Sequence, residues 1–166
     1  MRDLGFGIVD GHVHIGGPPE RKGTAADILS LMREQGIERA VAFPGPGQRP
    51  DNEGLAKAIA PHRDRFAAFA WINPHQGDEA VDELERMVRH HGFRGVKFQP
   101  VLHAFQPMWP MVHAVMRRAQ DLGIVALFHS GHAPYSLPWE IGEVAEAYPG
   151  VPVVMDHMGL QWMGYV

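Results

Sequence analysis

Two histidines separated by one residue are the residues of this chain best suited to bind a metal. They belong to Asp10-Gly11-His12-Val13-His14, at the end of an apolar run close to the N-terminus. Side chains alternate between the two faces of a β-strand, so His12 and His14 are expected to point the same way. Imidazole nitrogens suit zinc and similar divalent ions. The spacing therefore predicts that both rings bind one metal ion.

More polar residues follow later apolar segments. They lie at the carboxyl ends of the predicted strands: Lys97 and Gln99 on the fourth, His129 on the fifth and His157 on the sixth. In parallel α/β folds, the carboxyl ends of the strands form the edge where active sites lie. A lone histidine there is more often structural, but four at the ends of three strands are hard to explain as packing, because each buried imidazole needs a partner. We therefore expect a catalytic site with one divalent ion, zinc first, which lowers the pKa of a bound water.

The elements that must position these residues alternate between strand and helix. Apolar runs rich in valine, isoleucine, phenylalanine and alanine predict strands at residues 7–15, 39–43, 66–72, 95–98, 124–129 and 151–157. Apolar residues at helical spacing, with capping residues before them and glycines after them, predict helices at residues 24–35, 52–60, 78–91, 109–122 and 139–148. Unbroken apolar strands are buried on both faces, as in a parallel sheet covered by helices.

This alternation predicts βαβ units in a single α/β domain over residues 1–166. A (β/α)8 TIM barrel has eight strands and about 250 residues, so we expect the chain to cover about six βα units, as a partial barrel. A doubly wound sheet of six strands fits the same number of elements.

Composition narrows the class of protein. Of the 166 residues, 45% are hydrophobic and 20% charged, which is typical of a globular domain. A net charge of −4 argues against nucleic acid and anionic membranes as partners. The chain has no cysteine, which excludes disulfides and thiolate metal sites. No apolar run reaches the roughly 20 residues of a membrane span, and the first residues lack a signal region, so we expect a cytoplasmic protein.

Four motifs together resemble the amidohydrolase superfamily. The segment 10–14 matches its opening motif, and the segments 95–100, 129–131 and 156–159 are similar to the motifs of strands 4, 5 and 6 in its amidohydrolase-2 branch. That branch contains metal-dependent hydrolases of lactones and amides, and decarboxylases of small unsaturated or aromatic carboxylic acids. The resemblance implies a (β/α)8-type barrel with a divalent metal, commonly zinc.

The resemblance also implies roles for individual residues. By position, His12, His14 and His129 are metal ligands, and His157 is a further ligand or a base near the bound water or substrate. Lys97 is expected to pair with a substrate carboxylate, and a buried salt bridge is the structural alternative for this lysine. These five residues form the predicted metal and catalytic set.

The sequence departs from the family pattern at one point. The family has an essential aspartate at the end of strand 8, and this chain has no predicted strand 7 or 8 that could supply it. Asp156 is not expected to replace it, because Asp156 and His157 are consecutive strand residues and should face opposite sides.

Substrate contacts are predicted from position alone. Gln99 lies at the end of the fourth strand, and Arg49 lies in the Pro/Gly-rich loop after the second, where it can bind a carboxylate. Trp109 and Trp139 follow strands 4 and 5 and can line a pocket for a flat ligand, as can Trp162 after strand 6; packing at helix starts is the alternative. The other histidines are expected at the surface: His62, His75, His90, His91, His103, His113 and, unless it touches substrate, His132.

Three functions follow from these expectations. The first is a hydrolase in which metal-activated water attacks an amide, ester or lactone of a small carboxylic-acid-like substrate. The second is a metal-dependent decarboxylase of a small unsaturated or aromatic acid, in which His157 moves a proton. The third is a catalytically incomplete metal-binding fragment that pairs its open sheet edges with another chain. The expected partners are a small-molecule substrate and further copies of the chain in a homo-oligomer.

Overall fold

The structure is a computed structural model that describes residues 7–17 and 23–159. The chain divides into two compact units, Met1–Phe69 and Ala70–Val166. Each unit contains parallel strands connected by helices. Among the residues described, no helix is long and apolar enough to cross a membrane.

The first unit is built on three parallel strands. Its elements are β1 (Ile8–Ile15), α1 (Ala25–Gln35), β2 (Ile37–Pro44), α2 (Asn52–Ile59) and β3 (Phe66–Trp71), the last of which runs across the boundary into the second unit. β2 pairs with both β1 and β3. Because the strands are parallel, the carboxyl ends of β1 and β2 lie side by side, with His14 opposite Phe43.

Helix α1 has the terminal signals that the sequence predicts. The Thr24 hydroxyl accepts a hydrogen bond from Asp27 N at 3.2 Å, and the Asp27 carboxylate accepts one from Thr24 N at 2.9 Å. This reciprocal capping box satisfies two amides that have no partner inside the helix. Gly36 ends the helix with φ 68°, a conformation that glycine adopts without steric cost.

The second unit repeats the strand–helix order. Its elements are α3 (Asp78–His91), β4 (Gly95–Phe98), α4 (Pro100–His103), α5 (Pro110–Leu122), β5 (Val125–His129), α6 (Pro138–Ala147) and β6 (Val153–Asp156). β5 pairs in parallel with β4 and with β6. In this register Lys97 is opposite Leu127, and His129 is opposite Asp156. The polar residues at the carboxyl ends of the three strands therefore meet at one edge of the sheet.

The core of the second unit shows why these strands are apolar. All four residues of β4 are buried, and the rings of Phe98 and Phe128 stack with their centroids 4.5 Å apart. Helices α3 and α5 add fully buried side chains such as Leu84 and Met116. Burial on both faces is what the unbroken apolar runs predicted.

Most elements have bounds within two residues of those predicted. The helix over 78–91 and the strand over 95–98 match without change. The short helix α4 was not predicted, and the expectation that its last residue, His103, is exposed is wrong. His103 is only 4% exposed, because its ring packs 6.2 Å from the ring of Trp71 and 6.5 Å from that of Phe105.

Candidate functional site

The two histidines of β1 bring their rings together. Their Nε2 atoms are 2.9 Å apart, and Nδ1 of His14 is 2.8 Å from the carbonyl oxygen of Pro44 at the end of β2. A carbonyl oxygen only accepts hydrogen bonds, so Nδ1 of His14 carries a proton and donates it. In the neutral ring, Nε2 of His14 then keeps its lone pair. The backbone of β2 thus holds His14 in the tautomer that binds a metal through Nε2.

The surroundings of this pair fix both rings. The pairing of β1 with β2 is irregular between Asp10 and Val13, and Asp10 Oδ1 accepts a hydrogen bond from His12 N at 2.9 Å. The Phe43 ring lies 4.8 Å from the ring of His12 and 5.7 Å from that of His14. Asp10 therefore acts on the backbone of His12, while Phe43 supports the imidazoles from one side.

The His12–His14 pair fits a divalent metal ion. Imidazole nitrogens bind zinc at about 2.0–2.1 Å, so two nitrogens 2.9 Å apart can both reach one ion. The carbonyl oxygen of Pro44 already orients the His14 ring, because it accepts the hydrogen on Nδ1. His12 and His14, both in the first unit, can therefore act as a pair of metal ligands.

Lys97 and Asp156 form a buried ion pair in the second unit. Nζ of Lys97 donates to Asp156 Oδ2 at 2.5 Å, and the side chains are 1% and 10% exposed. Burial lowers the pKa of Lys97, and the hydrogen bond and charge of Asp156 oppose that effect. This is the salt bridge that the sequence left as the structural alternative for Lys97, so its role toward a substrate carboxylate stays a prediction.

Three histidines follow one another at the same edge of the second unit. Nδ1 of His129 is 3.0 Å from Nε2 of His157, and Nε2 of His129 is 3.1 Å from Nδ1 of His132. Burial, then the nearby charges of His157 and Lys97, lower the pKa of His129 to about 4. His129 is therefore neutral at pH 7, as a metal ligand must be. The ring of His132, in the loop after β5, stacks on the ring of His129. The sequence did not predict this contact.

Asp156 lies beside His157, which corrects the expectation that the two face opposite sides. Asp156 Oδ2 is 3.3 Å from His157 Nε2, and Asp156 Oδ1 accepts a hydrogen bond from His157 N at 3.2 Å. The alternation of strand residues does not apply here, because β6 ends at Asp156 and His157 has φ 58°. The carboxylate therefore belongs to the same group of side chains as His157.

The predicted polar substrate contacts lie in separate units. Arg49 lines a pocket of about 360 Å³ in the first unit, together with Gly16, Gly45 and Asp51. In the second unit, Oε1 of Gln99 is buried and has no hydrogen-bond partner among the described residues. Both positions remain candidates for binding a polar ligand.

The predicted tryptophans are partly exposed. Trp109 is 37% exposed, and its Nε1 donates to Gln106 Oε1 at 3.1 Å. Trp139, in the first turn of α6, is 60% exposed. Trp162 lies outside the described residues. Trp109 and Trp139 both stay candidates for ligand contact.

Comparison with known proteins supports the fold. Residues 9–164 match the family model whose description is "Amidohydrolase". The structure is similar to 2,6-dihydroxybenzoate decarboxylase from Rhizobium, with a TM-score of 0.73 and 20% identity, over 92% of this chain and 67% of that one. The chain thus spans about two thirds of the length of this relative.

Two further solved structures show the same likeness. One is 5-carboxyvanillate decarboxylase from Novosphingobium aromaticivorans in complex with manganese, with a TM-score of 0.72 and 14% identity, over 95% of this chain and 66% of that one. The other is a probable 2-pyrone-4,6-dicarboxylic acid hydrolase from Acinetobacter baumannii, with a TM-score of 0.66 and 17% identity, over 93% and 59%. These likenesses confirm the predicted fold class, part of a (β/α)8 barrel.

Proposed function

The chain belongs to the amidohydrolase family, and on that basis we propose that it is a metal-dependent hydrolase of a small carboxylic-acid-like substrate. The bond broken is an amide, ester or lactone. The observation that carries this proposal is the His12–His14 pair, whose Nε2 atoms lie 2.9 Å apart with one ring oriented by Pro44 O. An orienting bond of this kind is typical of metal-ligating histidines.

We assign metal binding to His12, His14 and His129. The low pKa of His129 supports its part, because only the neutral ring has a lone pair for a metal. The bound divalent ion would supply Lewis-acid activation of water and of the carbonyl. Zinc is the first choice for imidazole ligands, and manganese, present in the complex of the Novosphingobium enzyme, is the second.

His157 is the proposed acid–base residue. Its Nε2 lies between Asp156 Oδ2 at 3.3 Å and His129 Nδ1 at 3.0 Å, so the proton on that nitrogen has a carboxylate to stabilise it. A charged carboxylate next to an imidazole favours the protonated ring and makes it a better base. The ring can thus accept a proton from the attacking water and return it to the leaving group.

Substrate binding is assigned to Arg49, Gln99, Lys97 and the two exposed tryptophans. Arg49 supplies a fixed positive charge with fork geometry, which suits a carboxylate. Oε1 of Gln99 can accept a hydrogen bond from a substrate hydroxyl or amide, which would satisfy an atom that is otherwise buried without a partner among the described residues. Flat rings can pack on Trp109 or Trp139.

Decarboxylation is the second candidate reaction. It is favoured by the names of two relatives of similar fold, which are decarboxylases of aromatic acids. In this reaction the bond between a ring carbon and its carboxylate breaks, carbon dioxide leaves, and a proton takes its place on the carbon. His157 would deliver that proton, and the other residues would keep the roles given above.

Metal uptake tests the proposed site directly. The protein is stripped with a chelator, reloaded with Zn²⁺ or Mn²⁺, and analysed by mass spectrometry for metal content. We expect about one ion per chain, lost in His12→Ala and in His14→Ala. His90→Ala is the matched control, because His90 is an exposed histidine on α3. Full uptake by both β1 variants would contradict the assignment.

Two substrates separate the two reactions. Ring opening of 2-pyrone-4,6-dicarboxylic acid supports the hydrolase, and release of carbon dioxide from 2,6-dihydroxybenzoate supports the decarboxylase. Each activity should be lost in His157→Gln, whose side chain cannot exchange protons near neutral pH. A chain that binds metal but turns over neither these acids nor simple esters and lactones would support the third function, a metal-binding fragment without catalysis.

A further inference from the structure

The turn after β6 has an unusual backbone. His157 has φ 58° and Met158 has φ 56°, and neither is a glycine. The left-handed region is sterically unfavourable for a residue that carries a Cβ atom. Packing of Met158 does not offset this cost, because its side chain is 90% exposed. Such conformations persist where surrounding groups hold them, and they cluster at functional sites.

Ser130 bridges the two ends of this turn. Its hydroxyl donates to the carbonyl oxygen of Asp156, just before the turn, and accepts from Gly159 N at 3.1 Å, just after it. Ser130 is completely buried, so its hydroxyl does not exchange these partners for bulk water. A single side chain on the segment after β5 thus closes the turn that carries His157.

Asp156 fixes the residue inside the turn. Its Oδ1 accepts from His157 N at 3.2 Å, and its Oδ2 is 3.3 Å from Nε2 of the same residue. The carboxylate therefore contacts both the backbone and the ring of His157. Lys97 Nζ, at 2.5 Å from Oδ2, restrains the carboxylate in turn. The result places His157 Nε2 3.0 Å from His129 Nδ1.

We propose that Ser130 and Asp156 are positioning residues, which hold the left-handed turn so that the His157 imidazole is aimed for proton transfer. The catalytic part of this inference rests on the proposed function, whereas the positioning part concerns the conformation of the free chain. Without the bridge, His157 would relax to an ordinary backbone conformation and its ring would move. Displacement of a catalytic group by about 1 Å can cost on the order of a hundredfold in rate.

The first test replaces Ser130 by alanine and measures steady-state kinetics on whichever acid or ester the wild type turns over fastest. We expect kcat to fall at least about tenfold while KM changes less than about threefold, since substrate contacts remain. Tyr148→Phe is the matched control: it also removes a hydroxyl that bonds a backbone carbonyl, but that hydroxyl contacts His113 of α5 and not the turn. A purely structural effect would lower kcat equally in both variants.

A rescue sharpens the result. Adding Met158→Gly to Ser130→Ala should recover part of the lost kcat, because glycine adopts positive φ without steric cost. Should Ser130→Ala not fold, Asp156→Asn serves in its place, with the same expected loss in kcat. Wild-type kcat within twofold in both Ser130→Ala and Asp156→Asn would overturn the proposal.

A second measurement does not depend on activity. Long-range ¹H–¹⁵N spectra report the tautomer of each imidazole, and a crystal structure reports φ of His157. We expect Ser130→Ala to change the φ angle and the ring nitrogen shifts of His157 while leaving those of His14 unaltered. If the wild type shows the turn but no turnover, the proposed function fails and the positioning inference stands. If φ of His157 is the same in Ser130→Ala and wild type, the positioning inference is wrong.

Discussion

Nζ of Lys97 lies 2.5 Å from Oδ2 of Asp156, and the two side chains are 1% and 10% exposed. The parallel register of β4, β5 and β6 brings these two strand ends together across 59 residues of sequence. Removing a charge from water is costly, so each member of such a pair depends on the other to remain ionised. Asp156 in turn contacts His157, which links the stability of the pair to the predicted catalytic residue.

We predict that Lys97→Met destabilises the protein by about 3–5 kcal/mol, because it leaves the Asp156 carboxylate buried without its counter-charge. Methionine keeps most of the volume, so the effect reports the charge rather than a cavity. The measurement is urea unfolding of the metal-free protein. Arg89→Met is the control, since Arg89 pairs with Glu85 on the exposed side of α3, and it should change stability little. Equal effects of the two substitutions would contradict the buried-pair assignment.

A second prediction concerns pH. Burial and the neighbouring charges lower the pKa of His129 to about 4, compared with about 6.5 in the unfolded chain. As pH drops, His129 therefore takes up its proton at a higher pH in the unfolded chain than in the folded chain. The free energy of unfolding should consequently fall between about pH 6.5 and pH 4. His129→Gln should flatten this slope in denaturation curves of metal-free protein, whereas His90→Gln should not.

Asp27 and Glu85, whose pKa values are lowered, do not affect this test. Hydrogen bonds from Thr24 and Arg89 lower the pKa values of Asp27 and Glu85, respectively. A carboxylate with a lowered pKa stabilises the fold above its unfolded pKa and loses that contribution only as pH falls further, below about 4.5. A slope between pH 6.5 and 5 that is unchanged in His129→Gln would show that the His129 pKa is not responsible.

Much of the fold could be predicted because local signals agree with tertiary packing. The capping box of Thr24 and Asp27 and the terminal Gly36 mark α1, and the apolar run over 95–98 marks a strand buried on both faces. Helix α4 was missed because four residues contain too little periodicity to indicate a helix. The burial of His103 depends on aromatic partners at Trp71 and Phe105, which no local pattern reveals.

In the candidate site, the sequence predicted that His12 and His14 lie together but not the contacts around His157. Strand alternation correctly placed His12 and His14 on one side, since both lie within β1. The same rule misplaced Asp156 relative to His157, because the strand ends between them and the backbone turns to positive φ. The bridge from Ser130 was also missed, since a serine hydroxyl between two backbone groups has no sequence signature. These failures fall where the chain leaves regular structure.

Glu140 gives a third prediction. It is 6% exposed, its Oε2 has no hydrogen-bond partner among the described residues, and burial followed by the charge of Glu143 raises its pKa. The charged form is thus disfavoured in the folded state, and its cost grows as pH rises through the unfolded pKa near 4.5. Glu140→Gln should raise stability at pH 7 by up to about 1 kcal/mol and have no such effect at pH 4. Glu146→Gln, at an exposed position on the same helix, should have little effect at either pH.

Met158 and Gly36 both have positive φ, so replacing Met158 by glycine and replacing Gly36 by alanine should change stability in opposite directions. Met158→Gly relieves the steric cost of φ 56° without losing burial, because the side chain is 90% exposed, and it should leave stability unchanged or raise it by up to about 1 kcal/mol. Gly36→Ala places a side chain at φ 68° and should cost about 1 kcal/mol. Thermal unfolding of both variants checks this. A loss of stability in Met158→Gly would mean that the methionine side chain makes a favourable contact.

Substitutions of His14 can distinguish its role in folding, through the hydrogen bond to Pro44 O, from its role in metal binding. Asparagine can place its amide nitrogen where Nδ1 of His14 lies, so His14→Asn keeps the donor to Pro44 O but lacks the Nε2 atom that would bind metal. We expect metal-free His14→Asn to be nearly as stable as wild type, and His14→Ala to lose about 1 kcal/mol with the hydrogen bond. Metal at a hundredfold excess over its Kd should stabilise wild type by about 2.7 kcal/mol and neither variant. Urea unfolding with and without Zn²⁺ measures all six values. Full stabilisation of His14→Asn by zinc would show that Nε2 of His14 is not a ligand.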